Sequence, residues 1–103
     1  MDDNKILELI DERALLHPQD PKISEYWDEI IKAMGNDENK IIKFINGLDE
    51  YYLSYMIEML DDLASKLKSE NYILAIEELA KKHPDVNPNW DIDIRCIKHL
   101  ARA

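Results

Sequence analysis

The stretch that decides the fold is Leu48–Ser69, LDEYYLSYMIEMLDDLASKLKS, because it has the pattern of a long amphipathic helix. Its apolar residues recur at intervals of three and four, the spacing that places side chains on one face of a helix. Asp49 can cap the N-terminus, and Leu48 and Leu53 have the spacing of a hydrophobic staple around that cap. We therefore predict one continuous helix from Asp49 to about Lys68. Its predicted inner face consists of Leu53, Ile57 together with Met56, Leu60, Ala64 and Leu67.

Shorter helices are predicted on both sides of this stretch. Asp and Ser residues stand where N-caps belong, and Gly35, Gly47 and several prolines stand where helices end. Threonine is absent and valine occurs once, so β-strands have little support. The predicted segments run from about Asp3 to Leu16, from Asp20 or Ser24 to Met34, from Asp37 to about Asn46, from Ser69 to His83, and from Asp91 to Leu100.

The fold class that follows is all-α. The connections are short, so neighbouring helices are expected to pack antiparallel. A helix followed by His-Pro occurs twice, at His17-Pro18 and His83-Pro84, which is compatible with stacked α-hairpins. We predict a single domain, residues 1–103, of five to six antiparallel-packed helices, arranged as a bundle or as stacked hairpins. Trp27 is expected in the core, and Trp90, in the loop before the last helix, is expected to be partly exposed.

Composition narrows the class of protein and its compartment. The chain has 22 acidic and 13 basic residues, for a formal net charge of −9, and this excess of negative charge argues against direct contact with a nucleic-acid backbone. No apolar run approaches the ~18–20 residues that a membrane-spanning helix requires. The single cysteine cannot form an internal disulfide, and the acidic N-terminus lacks a signal-peptide pattern. We therefore expect a cytoplasmic protein with no membrane partner.

The sequence offers no convincing catalytic or metal-binding set. His17 and His83 precede prolines at helix C-termini, where an imidazole can meet the last carbonyls. Cys96 and His99 share a face of the last helix, but no orienting third group is evident, and Cys96 is expected to be buried. Asp91 and its neighbours begin like a calcium loop, yet the required glycine and glutamate are missing. We predict a protein that is not an enzyme and has no cofactor or metal.

Acidic and aromatic residues coincide in the predicted long helix. Between Leu48 and Ser65 there are five acidic residues, three tyrosines and no base, and Tyr51, Tyr55 and Glu58 fall on one helical stripe. One interpretation is a solvated acidic face beside amphipathic tyrosines that flank the core. The other is a surface that binds a basic protein, because tyrosines give large contact area and acids steer a basic partner. The predicted partner-binding residues are Tyr51, Tyr55, Glu58, Asp61 and Asp62, with Asp28, Glu29, Asp37 and Glu38 as a second tier.

Three segments also resemble a known family. They are Glu58–Ser69 (EMLDDLASKLKS), Ile73–Asp85 and Asp91–Ile97, and they are similar to small, acidic, all-helical immunity proteins of bacterial polymorphic-toxin and contact-dependent growth inhibition systems. With the preceding run Trp27–Leu48 (WDEIIKAMGNDENKIIKFINGL), the likeness spans about three-quarters of the chain and does not cover the first twenty residues. It implies an all-helical fold and a role in binding and blocking a cognate toxin domain, commonly a nuclease. It implies no catalytic residues.

Two functions therefore remain open at the level of sequence. The first is an immunity protein that binds a cognate toxin domain, expected to be a basic nuclease, as a monomer in a 1:1 complex. An acidic inhibitor can be steered to the basic surface that a nuclease needs for holding nucleic acid. The second is a helical scaffold or adaptor that binds a basic peptide or protein in a groove.

Overall fold

Helix boundaries in this protein follow its capping residues. The computed structural model describes all 103 residues and contains seven α-helices, one 3-10 turn and no strand. Side-chain oxygens of Asp2, Asp37, Asp49 and Ser69 accept hydrogen bonds from backbone N–H groups in the first turn of the helix that each precedes. The all-α prediction is confirmed. The elements are α1 Asp3–Ala14, α2 Ile23–Met34, α3 Glu38–Asn46, α4 Glu50–Met56, α5 Leu60–Leu67, α6 Glu70–Lys82 and α7 Trp90–Ala101, with the 3-10 turn at Ile57–Met59.

The predicted long fourth helix is divided into α4 and α5 by the 3-10 turn Ile57–Met59. A 3-10 segment advances by 3.0 residues per turn, so the side chains beyond it are rotated relative to a continuous α-helix. The buried face changes accordingly. Met59 and Leu63, which were not predicted on the inner face, are fully buried, whereas Ile57, which was, is only half-buried. Met56 is buried as predicted. The prediction of one continuous helix is therefore wrong at its centre, although its ends are placed correctly.

A single hydrophobic cluster of 22 buried residues receives side chains from every α-helix. The Cα radius of gyration is 12.8 Å, close to the ~13 Å expected for a compact chain of about 100 residues. Trp90 is a member of the cluster and is 6% exposed, because its indole N–H donates to the carbonyl of His83 at 2.9 Å. The expectation that Trp90 is partly exposed is therefore wrong. Trp27 is half-buried at the margin of the cluster, and Cys96, expected to be buried, is exposed.

Helix packing divides the molecule into two sides. α1 packs against both α2 and α4, and α2 also reaches the 3-10 turn. On the other side α5 packs along α7, and α6 contacts α3, α5 and α7. The last helix begins at Trp90 after Asn89, so Asp91 lies in its first turn and is not its N-cap. None of the helices combines the length and apolar character that crossing a membrane would need.

Candidate protein-binding surface

The excess negative charge of the protein is concentrated in two segments of the chain. Residues 1–29 and 49–62 hold fourteen acidic and three basic residues, whereas the remainder of the chain holds eight acidic and ten basic residues. The first set comprises α1, the first part of α2, α4, the 3-10 turn and the start of α5. Since α1 packs against α2 and α4, most of this charge gathers on the α1 side of the molecule. The sequence suggests an acidic helix, and the fold assembles an acidic surface from several helices.

The same side carries every tyrosine except one. Tyr72 is fully buried on the other side and donates its hydroxyl to the carbonyl of Leu60 at 2.7 Å. Tyr51 is 54% exposed, and its ring lies edge-on to Tyr52 at 5.3 Å and to Tyr55 at 5.5 Å between centroids. Edge-to-face pairs at such distances stabilise one another. The three rings therefore form a connected patch on α4, with Tyr51 the most accessible.

α1 contributes acids that flank these rings. Tyr52 donates its hydroxyl to the Asp11 carboxylate at 3.2 Å, and this hydrogen bond, followed by burial and the charge of Asp11, raises the pKa of Tyr52. On the α2 side, partial burial and then the carboxylate of Glu12 raise the pKa of Tyr26. Both hydroxyls are thus harder to deprotonate than the hydroxyl of a free tyrosine. We call this surface the acidic tyrosine face, and its members are Asp11, Glu12, Tyr26, Glu29, Asp49, Tyr51, Tyr52 and Tyr55.

Glu58 lies at the inner edge of this face and is already engaged within the protein. The Arg13 guanidinium donates from Nε and Nη2 to its two carboxylate oxygens at 2.8 and 2.6 Å. The indole N–H of Trp27 donates to the same carboxylate at 3.1 Å. Arg13 is 5% exposed, and the hydrogen bonds that it donates to Glu58 raise the pKa of its guanidinium. Although α4 and the turn contain no base, α1 supplies one, so Glu58 contributes little net charge to a partner.

The other residues predicted from the sequence fall in three places. Glu29 lines a cleft between α1 and α2 with Glu12, Glu25, Tyr26 and one base, Lys22, and so belongs to the acidic tyrosine face. Asp61 and Asp62 lie beyond the 3-10 turn, where Asp61 faces α7, and burial followed by the charges of Asp93 and Asp62 raises the pKa of Asp61. The remaining three are separate from the tyrosines: Asp28 is exposed on α2, Asp37 caps α3, and Glu38 accepts a hydrogen bond from Asn71.

Five members of the face were not among the predicted site residues: Asp11, Glu12, Tyr26, Asp49 and Tyr52. Asp49 was predicted only as a helix cap. The other four are polar residues flanking an apolar stripe, and such positions are common in amphipathic helices. Their place on a common surface becomes apparent only once α1 is known to pack against both α2 and α4. The one clue available in the sequence is that acidic residues outnumber basic residues in α1 and in α2.

Away from this face the chain shows little that resembles a site for small molecules. No three His, Cys, Asp or Glu side chains are grouped in a way that could hold a metal ion. Cys96 and His99 line an open, mostly apolar groove of about 550 Å³ between α5 and α7 with Asp61. Open grooves of this kind lack the concave enclosure of a typical ligand pocket.

Comparisons with protein-family models, with curated proteins and with solved structures found no match for this chain.

Proposed function

We propose that this protein is a cytoplasmic immunity protein that binds and neutralises a cognate toxin domain, a basic nuclease, through the acidic tyrosine face. The observation that carries the proposal is the coincidence of the excess negative charge with the accessible tyrosines on one side of the fold. A solvated surface needs no such coincidence. A protein-binding surface benefits from both features, because aromatic side chains supply contact energy and charge supplies speed and specificity.

A basic nuclease is the partner class that this chemistry fits best. An enzyme that holds nucleic acid presents Lys and Arg to the phosphate backbone, and an acidic surface is complementary to that arrangement. Electrostatic steering raises association rates by about 10–10³-fold, which matters when the free partner damages the cell. Steering also weakens as salt rises, because the Debye length falls from ~10 Å at 0.1 M to ~3 Å at 1 M. The resemblance of Glu58–Ser69 to immunity proteins supports the same class.

The test is co-expression with the protein encoded directly beside this one, followed by measurement of toxicity and of binding kinetics. Glu12→Lys/Glu29→Lys reverses two charges on the face, and we expect the association rate to fall at least about tenfold at low salt. Glu78→Lys/Asp85→Lys makes the same change in charge at exposed positions on the other side. We expect this matched control to change the association rate by less than about threefold, because charges beyond a Debye length are screened.

Truncation of the most exposed ring tests the aromatic half of the proposal. Tyr51→Ala is expected to raise the dissociation rate about 30-fold, which corresponds to ~2 kcal/mol, while leaving the association rate nearly unchanged. If the two charge-reversal variants lowered the association rate equally and Tyr51→Ala left the dissociation rate unchanged, the interface would have to lie on another surface. A neighbouring protein that neither binds nor is inhibited would overturn the immunity function. Binding of basic peptides without inhibition of any toxin would favour the helical adaptor.

A further inference from the structure

A continuous chain of contacts runs beneath the acidic tyrosine face. It begins at Trp27 on α2, passes through the Glu58 carboxylate to the Arg13 guanidinium, and reaches Tyr55, whose ring centroid lies 5.3 Å from the guanidinium carbon. From Tyr55 it continues through Tyr51 and Tyr52 and returns to α1 at Asp11. Both ends of the tyrosine patch are therefore tied to α1, at Asp11 and at Arg13.

The Arg13–Glu58 pair is built more tightly than a surface salt bridge. Three N–H donors converge on the Glu58 carboxylate, two from Arg13 and one from Trp27, and the fork of Arg13 is bidentate. Arg13 is almost completely buried, whereas the Glu58 side chain keeps 28% of its surface exposed. Burying a guanidinium is unfavourable unless its donors are satisfied, so Arg13 depends on Glu58. Arg is the residue suited to this position because lysine lacks both the fork and the planar group that stacks on an aromatic ring.

The position of Glu58 follows from the break in the predicted long helix. Glu58 is the middle residue of the 3-10 turn Ile57–Met59, which lies next to α2, the helix of Trp27. On a continuous helix Glu58 would share the outward stripe of Tyr51 and Tyr55. The contact with Arg13 therefore coincides with the one place where the regular helix is interrupted, and short 3-10 segments within helices often mark such functional positions.

We propose that the Arg13–Glu58 ion pair is a positioning device that holds Trp27 and Tyr55 in one arrangement and thereby preorganises the acidic tyrosine face for its basic partner. In its consequence for binding, this inference rests on the proposed function. Glu58 acts on the partner through Arg13 and Tyr55 and not as an open negative charge. Preorganisation favours binding because side chains that are already ordered lose less conformational freedom when the complex forms.

The variant that tests the device is Arg13→Met/Glu58→Gln, which removes both charges together and leaves no unpaired buried ion. Replacing a buried ion pair by uncharged residues of similar volume often preserves stability, so we expect a folded protein by circular dichroism. The matched control is Arg102→Met/Glu70→Gln. Arg102 and Glu70 form the other bidentate pair, at 2.9 and 2.8 Å, on the opposite side and exposed to solvent. Both variants remove one positive and one negative charge, so neither alters the net charge of the protein.

The first measurement needs no partner. By nuclear magnetic resonance we expect the Trp27 indole N–H of the Arg13→Met/Glu58→Gln variant to exchange with solvent at least about tenfold faster than in the wild type, because local opening is easier when stabilising contacts are removed. The ring protons of Tyr51 and Tyr55 are expected to move toward the positions of free tyrosine. The control variant is expected to leave these signals unchanged. Unchanged Trp27 exchange and unchanged tyrosine signals in the folded test variant would overturn the inference.

A second variant covers the case in which the double replacement does not fold. Arg13→Lys keeps the charge but cannot form the bidentate contact, so we expect a folded protein with faster Trp27 exchange than the wild type. If the Trp27 indole N–H of Arg13→Lys exchanged as slowly as in the wild type, the inference would also be overturned, because a positive charge without the bidentate contact would then be enough to hold Trp27.

The second measurement uses the neighbouring toxin domain as the probe. The Arg13→Met/Glu58→Gln variant is expected to dissociate at least about tenfold faster, with an association rate within about twofold of the wild type, because the net charge of the face is unchanged. Loosened tyrosine signals with an unchanged dissociation rate would overturn the role in binding. If the wild type itself does not bind the toxin domain, the proposed function fails, while the partner-free measurement still decides whether Arg13 and Glu58 position the tyrosines.

Discussion

At the scale of single residues, Gly35 has a conformation that other residues rarely adopt. It ends α2 with φ 71° and ψ −153°, a region that is essentially restricted to glycine. A Cβ at Gly35 would meet no atom within 4 Å, so backbone strain is the only cost of adding one. We expect Gly35→Ala to lower the free energy of unfolding by about 1–3 kcal/mol in chemical denaturation.

Gly47 provides the control for this prediction. It follows α3 with φ −87° and ψ −5°, and a Cβ there would lie at ordinary contact distances of 3.5 and 3.6 Å from two carbonyl oxygens. Gly47→Ala should therefore be neutral or stabilising by about 0.4–1 kcal/mol, because alanine restricts the unfolded chain. A similar loss of stability in both variants would mean that the strain assigned to Gly35 is absent.

The two tryptophans show what the sequence could not predict about individual side chains. Trp27 has helical spacing with Ile23, Ile30 and Met34, yet it lies at the margin of the core because its indole N–H reaches Glu58. Trp90 stands among loop residues, yet it is buried because the carbonyl of His83 accepts its hydrogen bond. Each outcome depends on a polar partner from a distant or irregular segment, and periodicity carries no information about such partners.

At the scale of elements, caps and periodicity were sufficient to place most helices. Asp37, Asp49 and Ser69 cap the helices that were predicted to begin after them. The break at Ile57–Met59 could not be predicted, because the stretch contains no glycine or proline and its apolar residues remain consistent with a helix. The candidate site was predicted only in part for the same reason: α1 and α2 complete the face through packing that the sequence of the fourth segment does not contain.

The junction between α5 and α6 gives a direct test of capping. The Ser69 hydroxyl accepts a hydrogen bond from the Tyr72 N–H at 3.2 Å, and Ser69 is buried. Ser69→Ala should lower the free energy of unfolding by about 1 kcal/mol, measured in urea. Ser65→Ala, an exposed position within α5, is the matched control and should be neutral or slightly stabilising because alanine is the better helix former. Equal effects at the two serines would contradict the assigned cap.

At the scale of the whole molecule, the uneven charge should weaken the fold at low ionic strength. Fourteen acids and three bases share residues 1–29 and 49–62, and repulsion among like charges opposes the compact state. We expect the protein to be more stable by about 1 kcal/mol in 0.5 M NaCl than in 0.01 M NaCl, which corresponds to about 4–8 °C in melting temperature.

Charge reversal should alter this salt response in a way that depends on position. Glu12→Lys/Glu29→Lys is expected to remove much of the stability gained on adding salt, because it relieves repulsion where the acids are concentrated. Glu78→Lys/Asp85→Lys adds positive charge to a part of the chain that is already balanced and should remove less of the gain. Identical salt responses in the two variants would show that the uneven distribution of charge does not affect the stability of the fold.

The acids of the face and Tyr51 lie outside the 22-residue core, and this separation has an evolutionary consequence. A lineage can change its choice of partner by substituting Asp11, Glu12, Glu29 or Tyr51 without repacking the interior, since exposed substitutions usually alter stability by less than about 0.5 kcal/mol. Arg13 is the exception, because it is buried and also contacts Tyr55. Descendants of this chain are therefore expected to diverge rapidly at the exposed positions and slowly at Arg13.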